Sequence, residues 1–207
     1  MQSSLTFRPL RRADYAAAAQ IVRETWHYDK FCSPAVAKAM ARLYLASCLA
    51  EQSFSCGAFA DGALTGLILA RDRRTRGHGL RYLPMQAGAL LRLAARREGR
   101  RVLRLFGGFA SLDRDLLGAS GGGYDGTLCL FAVREQTRGT GTGGALYRRA
   151  MDYFAAAGVR RFYLYTDTAC SYGFYEHQGL RRAGVRDYVF RLRGEAPMQF
   201  FLYEGSL

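Results

Sequence analysis

The chain has 207 residues, 49% of them hydrophobic, enough for one globular domain with a buried core. Its longest apolar runs fall well short of the roughly 20 residues that span a bilayer, and MQSSLTFRPLRR at the N-terminus lacks the apolar centre of a signal peptide. The net charge of +13 invites a nucleic-acid partner, but all of the 30 basic residues except Lys30 and Lys38 are arginines scattered along the chain, a pattern closer to coding bias than to a nucleic-acid footprint.

Leu5 to Leu10 alternates and holds β-formers, which predicts a first strand. Asp14 precedes YAAAAQIVRETW, an Ala-rich helix. HYDKFCSP reads as a loop, and Ser33-Pro34 opens a second helix running to about Cys48, with proline at the first helical position. Ser53 to Ala60 and Ala63 to Asp72 form a hairpin around Asp61-Gly62. From 73 to 123 the pattern changes: a charged loop, one or two basic amphipathic helices from Met85 to Phe106, then LDRDLLGASGGG ending in a flexible glycine tract. This reads as a helical insertion, packed against one edge of the sheet, within a single domain of residues 1–207. A basic amphipathic helix of this kind packs on a core more often than on a membrane.

Thr127 to Val133 is an apolar strand, Ala145 to Ala157 a helix stopped by Gly158, and Arg161 to Thr166 another strand. A short helix over Ala169 to Gln178 ends at Gly179, and Tyr188 to Arg193 with Gln199 to Tyr203 closes the chain as an antiparallel pair. The order describes an α/β (α+β) mixed sheet with helices on both faces. The five cysteines, odd in number and without CxxC spacing, argue against a disulfide framework or a metal site and suit a cytoplasmic protein.

Four glycines fall within six residues at Gly139, Gly141, Gly143 and Gly144, between a strand and a helix. Backbone without side chains lets a phosphate approach amide N–H groups, and a helix start aims free N–H groups and partial positive charge at the same point. A Walker A loop needs Gly-Lys-Ser/Thr, but Gly144 is followed by Ala145. Gly139, Gly141 and Gly144 spell the dinucleotide fingerprint GxGxxG, and Asp167 stands near the place of its ribose ligand. Against that fingerprint, Arg134 to Arg138 separate Val133 from the first glycine, and no strand–helix–strand units follow Asp167.

Arg138-Gly139-Thr140-Gly141-Thr142-Gly143 has the form R-x-x-G-x-G and resembles the acyl-CoA loop of the GNAT N-acetyltransferase superfamily. Phe174-Tyr175-Glu176-His177-Gln178-Gly179-Leu180 resembles that family's Tyr-Glu-x-x-Gly-Phe turn, and RPLRRADYAAAAQIV its first strand and helix. The resemblance covers most of the chain outside 73–123. It implies a GNAT-like, mostly antiparallel sheet and a transferase that moves an acetyl group from acetyl-CoA to a primary amine by direct attack.

By the same resemblance, the strand ending in Val133 splays from its neighbour at a bulge. Phe131, Ala132 and Val133 would meet pantetheine, and the Val133 N–H would polarise the thioester. Arg138, Gly139, Thr140, Gly141, Thr142, Gly143 and Gly144 would cradle the pyrophosphate. Tyr175 is the expected general acid, since a phenol stays protonated at neutral pH. Thr168 stands where many relatives carry an asparagine that bonds pantetheine. Thr127 stands where some carry a basic carboxylate, which makes Asp125 the substitute, with Glu135 and the cluster Trp26-His27-Tyr28-Asp29 as rivals and a water relay without a dedicated base as the equal alternative. Trp26, Tyr28 and Asp29 are the expected acceptor contacts through cation–π and charge pairing. The acceptor itself stays open among small amines, amino acids, peptide N-termini and protein lysines, as does a homodimer through the C-terminal strands. The alternatives are a basic nucleic-acid or regulatory binding module on the same fold and an NAD(P)-dependent oxidoreductase.

Overall fold

The computed structural model describes residues 5–191 and 195–207. In chain order these form β1 (Leu5–Arg8), α1 (Tyr15–Thr25), a helical turn α2 (Tyr28–Phe31), α3 (Pro34–Glu51), β2 (Phe54–Ala60), β3 (Ala63–Asp72), α4 (Gly79–Ala94), α5 (Arg97–Ala119), β4 (Gly126–Val133), α6 (Thr142–Ala156), β5 (Arg161–Asp167), α7 (Gly173–His177), β6 (Arg181–Arg191) and β7 (Glu195–Ser206). The strands make one sheet in the order β1-β2-β3-β4-β5-β7-β6. Every neighbouring pair is antiparallel except β4 with β5. This is the mixed, mostly antiparallel sheet expected, and it leaves no series of parallel units for a dinucleotide fold.

Alternation along the strands divides the core between the two faces. Leu130 and Ala132 of β4 face α1 and α3, where Ile21, Val22, Leu45 and Leu49 are at most 1% exposed. Leu128 of β4 and Phe162 and Leu164 of β5 face α6, against Leu146 and Phe154. The β2–β3 hairpin turns through Asp61 at φ 50° and Gly62 at φ 79°, the left-handed pair that a type I′ turn requires.

Three segments differ from the sequence reading. HYDKFCSP holds α2, started by His27 in a left-handed conformation and anchored by the buried Tyr28. The helices of 73–123 are longer than expected: α4 begins at Gly79 and takes Pro84 into its second turn, and α5 continues to Ala119. Gly121, Gly122 and Gly123, all at positive φ, then turn the chain into β4. Of these two helices, α5 lies over a face of the sheet, because its apolar stripe needs a broad surface. α4 packs on α3. α5 crosses the β5–β7–β6 half, with Leu116 buried beside Tyr163 and Leu202. The Tyr165 hydroxyl donates to the Asp113 carbonyl at 2.7 Å. Finally, β6 starts at Arg181, paired with Glu204, well before the expected Tyr188. Leu192 and Arg193 of that expected strand lie outside the described residues.

Leu116 is 1% exposed and is the main buried anchor of α5 on the sheet. Leu116→Ala is expected to lower the unfolding free energy by about 2–5 kcal/mol, read from the midpoint of a urea transition at unchanged slope.

Candidate active site

The site begins where two strands part. β4 and β5 pair over three rungs only, Gly126↔Phe162, Thr127↔Tyr163 and Leu128↔Leu164. Beyond them β4 runs on to Val133 and β5 to Asp167 without pairing to each other. The separation starts at a bulge on β4: Leu69 pairs with Leu130 and Ala70 with Leu128, so Cys129 is the extra residue. Its carbonyl accepts a 3.3 Å bond from the Cys48 thiol of α3. Register decides what the open edge presents. The Arg134 N–H donates to the Thr65 carbonyl at 2.8 Å, which makes 134, 132 and 130 the residues bonded toward β3. The backbone N–H and C=O groups of Phe131 and Val133 therefore point into the gap.

The loop after β4 is tied down before the glycines arrive. The Arg134 guanidinium donates to the Leu64 carbonyl at 3.1 Å and meets Glu24 of α1 at 3.2 Å. Gly139 at φ 78° and Gly141 at φ 83° then adopt conformations that L side chains rarely take. Gly141 caps α6, and the first helical bond runs from the Ala145 N–H to its carbonyl at 3.0 Å. The amides of Thr142, Gly143 and Gly144 thus precede the helical ladder at the positive end of the helix dipole. The threonines serve the loop itself: Thr140 Oγ1 donates to the Thr137 carbonyl at 2.8 Å and lies 2.9 Å from the hydroxyl of buried Thr142.

α7 brings up Tyr175, 9% exposed, with its ring 6.4 Å from Phe131 and 5.8 Å from Tyr203. Burial pushes its phenol well above the ordinary tyrosine value. The adjacent Glu176 points away, accepting from the Tyr203 hydroxyl at 2.6 Å and from Arg182 at 2.5 Å, bonds that lower its pKa. The glutamate of the motif thus fixes α7 to β7, while the tyrosine faces the gap.

One cavity of about 730 Å³ joins these parts. At one end it is lined by Phe131, Val133, Arg138, the glycines at 139, 141, 143 and 144, and Tyr175. At the other, Trp26, Tyr28, Tyr44, Phe106, Phe109 and Phe200 surround two carboxyl groups, Asp113 of α5 and Asp167 of β5. Asp167 is 6% exposed and accepts the Ala169 N–H at 2.8 Å. Burial raises its pKa. Burial first, and Asp167 second, push Asp113 up to about 7. Among the described residues the Asp113 carboxylate has no hydrogen-bond or ion-pair partner.

Of the expected acceptor contacts, Trp26 and Tyr28 line the cavity. Asp29 does not: its carboxylate is bound by Arg23 at 2.7 Å on the outside of α1. Asp125 is also misplaced for a base. It sits before the paired end of β4, where Oδ2 accepts the Arg160 N–H at 3.0 Å and that backbone bond, first among several causes, lowers its pKa. Thr168 is exposed and turned to β7, its hydroxyl accepting the Gln199 N–H at 3.2 Å. Glu135 is exposed on the loop and, like Thr140 and Thr142, is not part of the cavity wall. Sequence reasoning missed Asp113, Phe106 and Phe109, whose only signal was an amphipathic helix with one acidic residue on its apolar side.

Asp113 has a folded-state pKa above its unfolded value of 3.8, so the unfolded chain releases that proton first. Stability therefore falls as pH rises from about 4 through about 7. Asp113→Asn is expected to melt higher than the parent at pH 8 and at the same temperature near pH 3.5, in paired thermal scans.

A profile of the acetyltransferase (GNAT) family matches residues 18–180. No curated protein matches the chain. Among solved structures, SsHAT superposes with a TM-score of 0.63 at 16% identity, covering 98% of each chain. The ribosomal-protein-S18-alanine N-acetyltransferase from Escherichia coli superposes with a TM-score of 0.54 at 16% identity, covering 99% of this chain and 96% of that one. The PaiA N-acetyltransferase from Thermoplasma acidophilum, in complex with coenzyme A, gives 0.51 at 14% identity, covering 99% of both chains. With a glycine loop at a helix start, a strand pair that opens at a bulge and a family profile spanning most of its length, the chain belongs to the GNAT acetyltransferase family and is an N-acetyltransferase.

Proposed function

We propose that the protein transfers the acetyl group of acetyl-CoA to a primary amine by direct attack within a ternary complex. The observation that carries this reading is the unpaired inner edge of β4, continuous in one cavity with the α6 amides. An extended amide-bearing arm has backbone partners at Phe131 and Val133, and a pyrophosphate has amide partners from Gly139 to Gly144 with the guanidinium of Arg138 beside them. Left-handed Gly139 and Gly141 have open space where a Cβ would stand, so the cradle fits a phosphate group without side-chain obstruction.

Acetyl-CoA supplies an activated acyl carbon and a thiolate leaving group. The Val133 N–H polarises the acyl oxygen as a fixed dipole. The Tyr175 hydroxyl gives its proton to the departing sulfur. Its raised pKa does not disqualify it, because the burial that disfavours the phenolate equally disfavours the thiolate beside it.

Two measurements test the reading. In a thermal-shift panel, acetyl-CoA at 100 times its Kd is expected to add about 2.7 kcal/mol of stability, with no response to NADH. Stabilisation by NADH, or by an oligonucleotide in a salt-dependent manner without any response to acetyl-CoA, would overturn it. Tyr175→Phe is expected to lower kcat by about 10²-fold or more while leaving the acetyl-CoA Kd unchanged, and wild-type turnover would remove Tyr175 from the mechanism.

A further inference from the structure

We infer that the acceptor is a primary amine on an apolar body of aromatic size, without a carboxylate of its own, its ammonium received between Asp113 and Asp167. This deepens the acyl-transfer reading of the same cavity and rests on it.

The argument is one of charge and shape. The charged groups lining the cavity, among the described residues, are Asp113, Asp167 and Arg138. Arg138 belongs to the phosphate end, so among the described residues the acceptor end holds two carboxyl groups and no cation. A cationic amine is the guest that satisfies this end. An amino acid would bring a third carboxylate to a place with no positive partner among the described residues. A polyamine such as spermidine would bring more ammonium groups than the two carboxyl groups within the aromatic walls can pair. Those walls suit a planar apolar body: Tyr28 meets Phe106 edge-on at 5.8 Å, and Phe109 lies 5.0 Å from Phe200. Their faces also favour a nearby cation.

The two carboxyl groups have different parts. Asp167 accepts the Ala169 N–H, a bond that favours its charged form against the burial that raises its pKa, and it serves as the fixed anchor. Asp113 has no partner among the described residues, so its lone pairs are free for the amine. A carboxyl group pushed up to about 7 accepts a proton from a neighbouring ammonium far more readily than an ordinary aspartate. The other titratable groups around it, Tyr28 of α2, Tyr44 of α3, Cys129 of β4, Tyr165 of β5, Cys170 of the loop after β5 and Tyr175 of α7, all have their pKa raised by burial and stay neutral. The amine nitrogen gives one proton to Asp113, bonds to the acyl carbon as the carbon–sulfur bond breaks, and releases its second proton to replace the one Tyr175 gives to sulfur.

The test is a set of initial rates at saturating acetyl-CoA with 2-phenylethylamine, phenylalanine, spermidine and a lysine-containing peptide. kcat/KM for 2-phenylethylamine is expected to exceed that for phenylalanine by about 100-fold, because the extra carboxylate is buried unpaired. Asp113→Asn is expected to lower kcat/KM for 2-phenylethylamine by about 100-fold and to remove the acidic limb of its pH profile, with stabilisation by acetyl-CoA intact. A preference for phenylalanine, spermidine or the peptide overturns the acceptor class, as does transfer to none of the four while acetyl-CoA still stabilises the fold. Wild-type kcat/KM in Asp113→Asn removes Asp113 from the site. Loss of the acetyl-CoA response in the parent protein is the separate result that brings down the acyl-transfer reading as well.

Discussion

Three rungs of parallel pairing, and then none, is the constraint on which this structure turns. A sheet gains most by pairing every backbone group, and β4 and β5 are each long enough to continue. The bulge at Cys129 prevents it by turning β4 away, while the pairing of β5 with β7 runs the whole length of β5. The edge left open carries two residues' worth of unsatisfied donors and acceptors in the middle of a sheet. Such an edge persists because everything around it is over-determined: the bulge carbonyl is taken by Cys48, the strand end is held by Arg134, and α7 is locked to β7 by Glu176. The rigid frame and the reactive gap are the same construction.

The electrostatics of the molecule are divided in the same way. The chain carries a net charge of +13, but the arginines of α5 at 97, 100, 101, 104 and 114 are all exposed, whereas Asp113 of the same helix faces the cavity. A surface rich in cations suits the proposed polyanionic donor, and the two carboxyl groups at one end of the cavity suit the proposed cationic acceptor. Net charge alone pointed toward nucleic acid. Its distribution in space agrees with the two proposed ligands of opposite sign.

Much of this was legible in the sequence, for identifiable reasons. Strands and helices from Leu5 to Asp72 other than the turn α2, and the strand–loop–helix around Gly139 to Gly144, announce themselves by local pattern: alternation, a proline at a helix start, glycines where φ must be positive. What failed was decided by contacts that local pattern does not encode. Asp125 shares a strand face by parity with the cofactor strand, but parity says nothing of which end of β4 opens. Asp29 looked available until Arg23 took it. Asp113 could not be read at all, because its environment comes from β5, β7 and α3, and an aspartate on a basic amphipathic helix is indistinguishable from a solvated one until that helix is laid on the sheet.

The bond from Tyr165 to the Asp113 carbonyl has a consequence for how such an enzyme can diversify. The donor half is assembled from one continuous stretch, β4 through α7, while the lid of the acceptor half is a separate helix clipped to β5 by a main-chain contact. Because the clip grips backbone, it does not depend on which side chains α5 presents. The lid can therefore be recut residue by residue, at Phe106, Phe109 or Ala110, with its alignment preserved. On the proposed reading, acceptor choice and donor handling are separable within one fold.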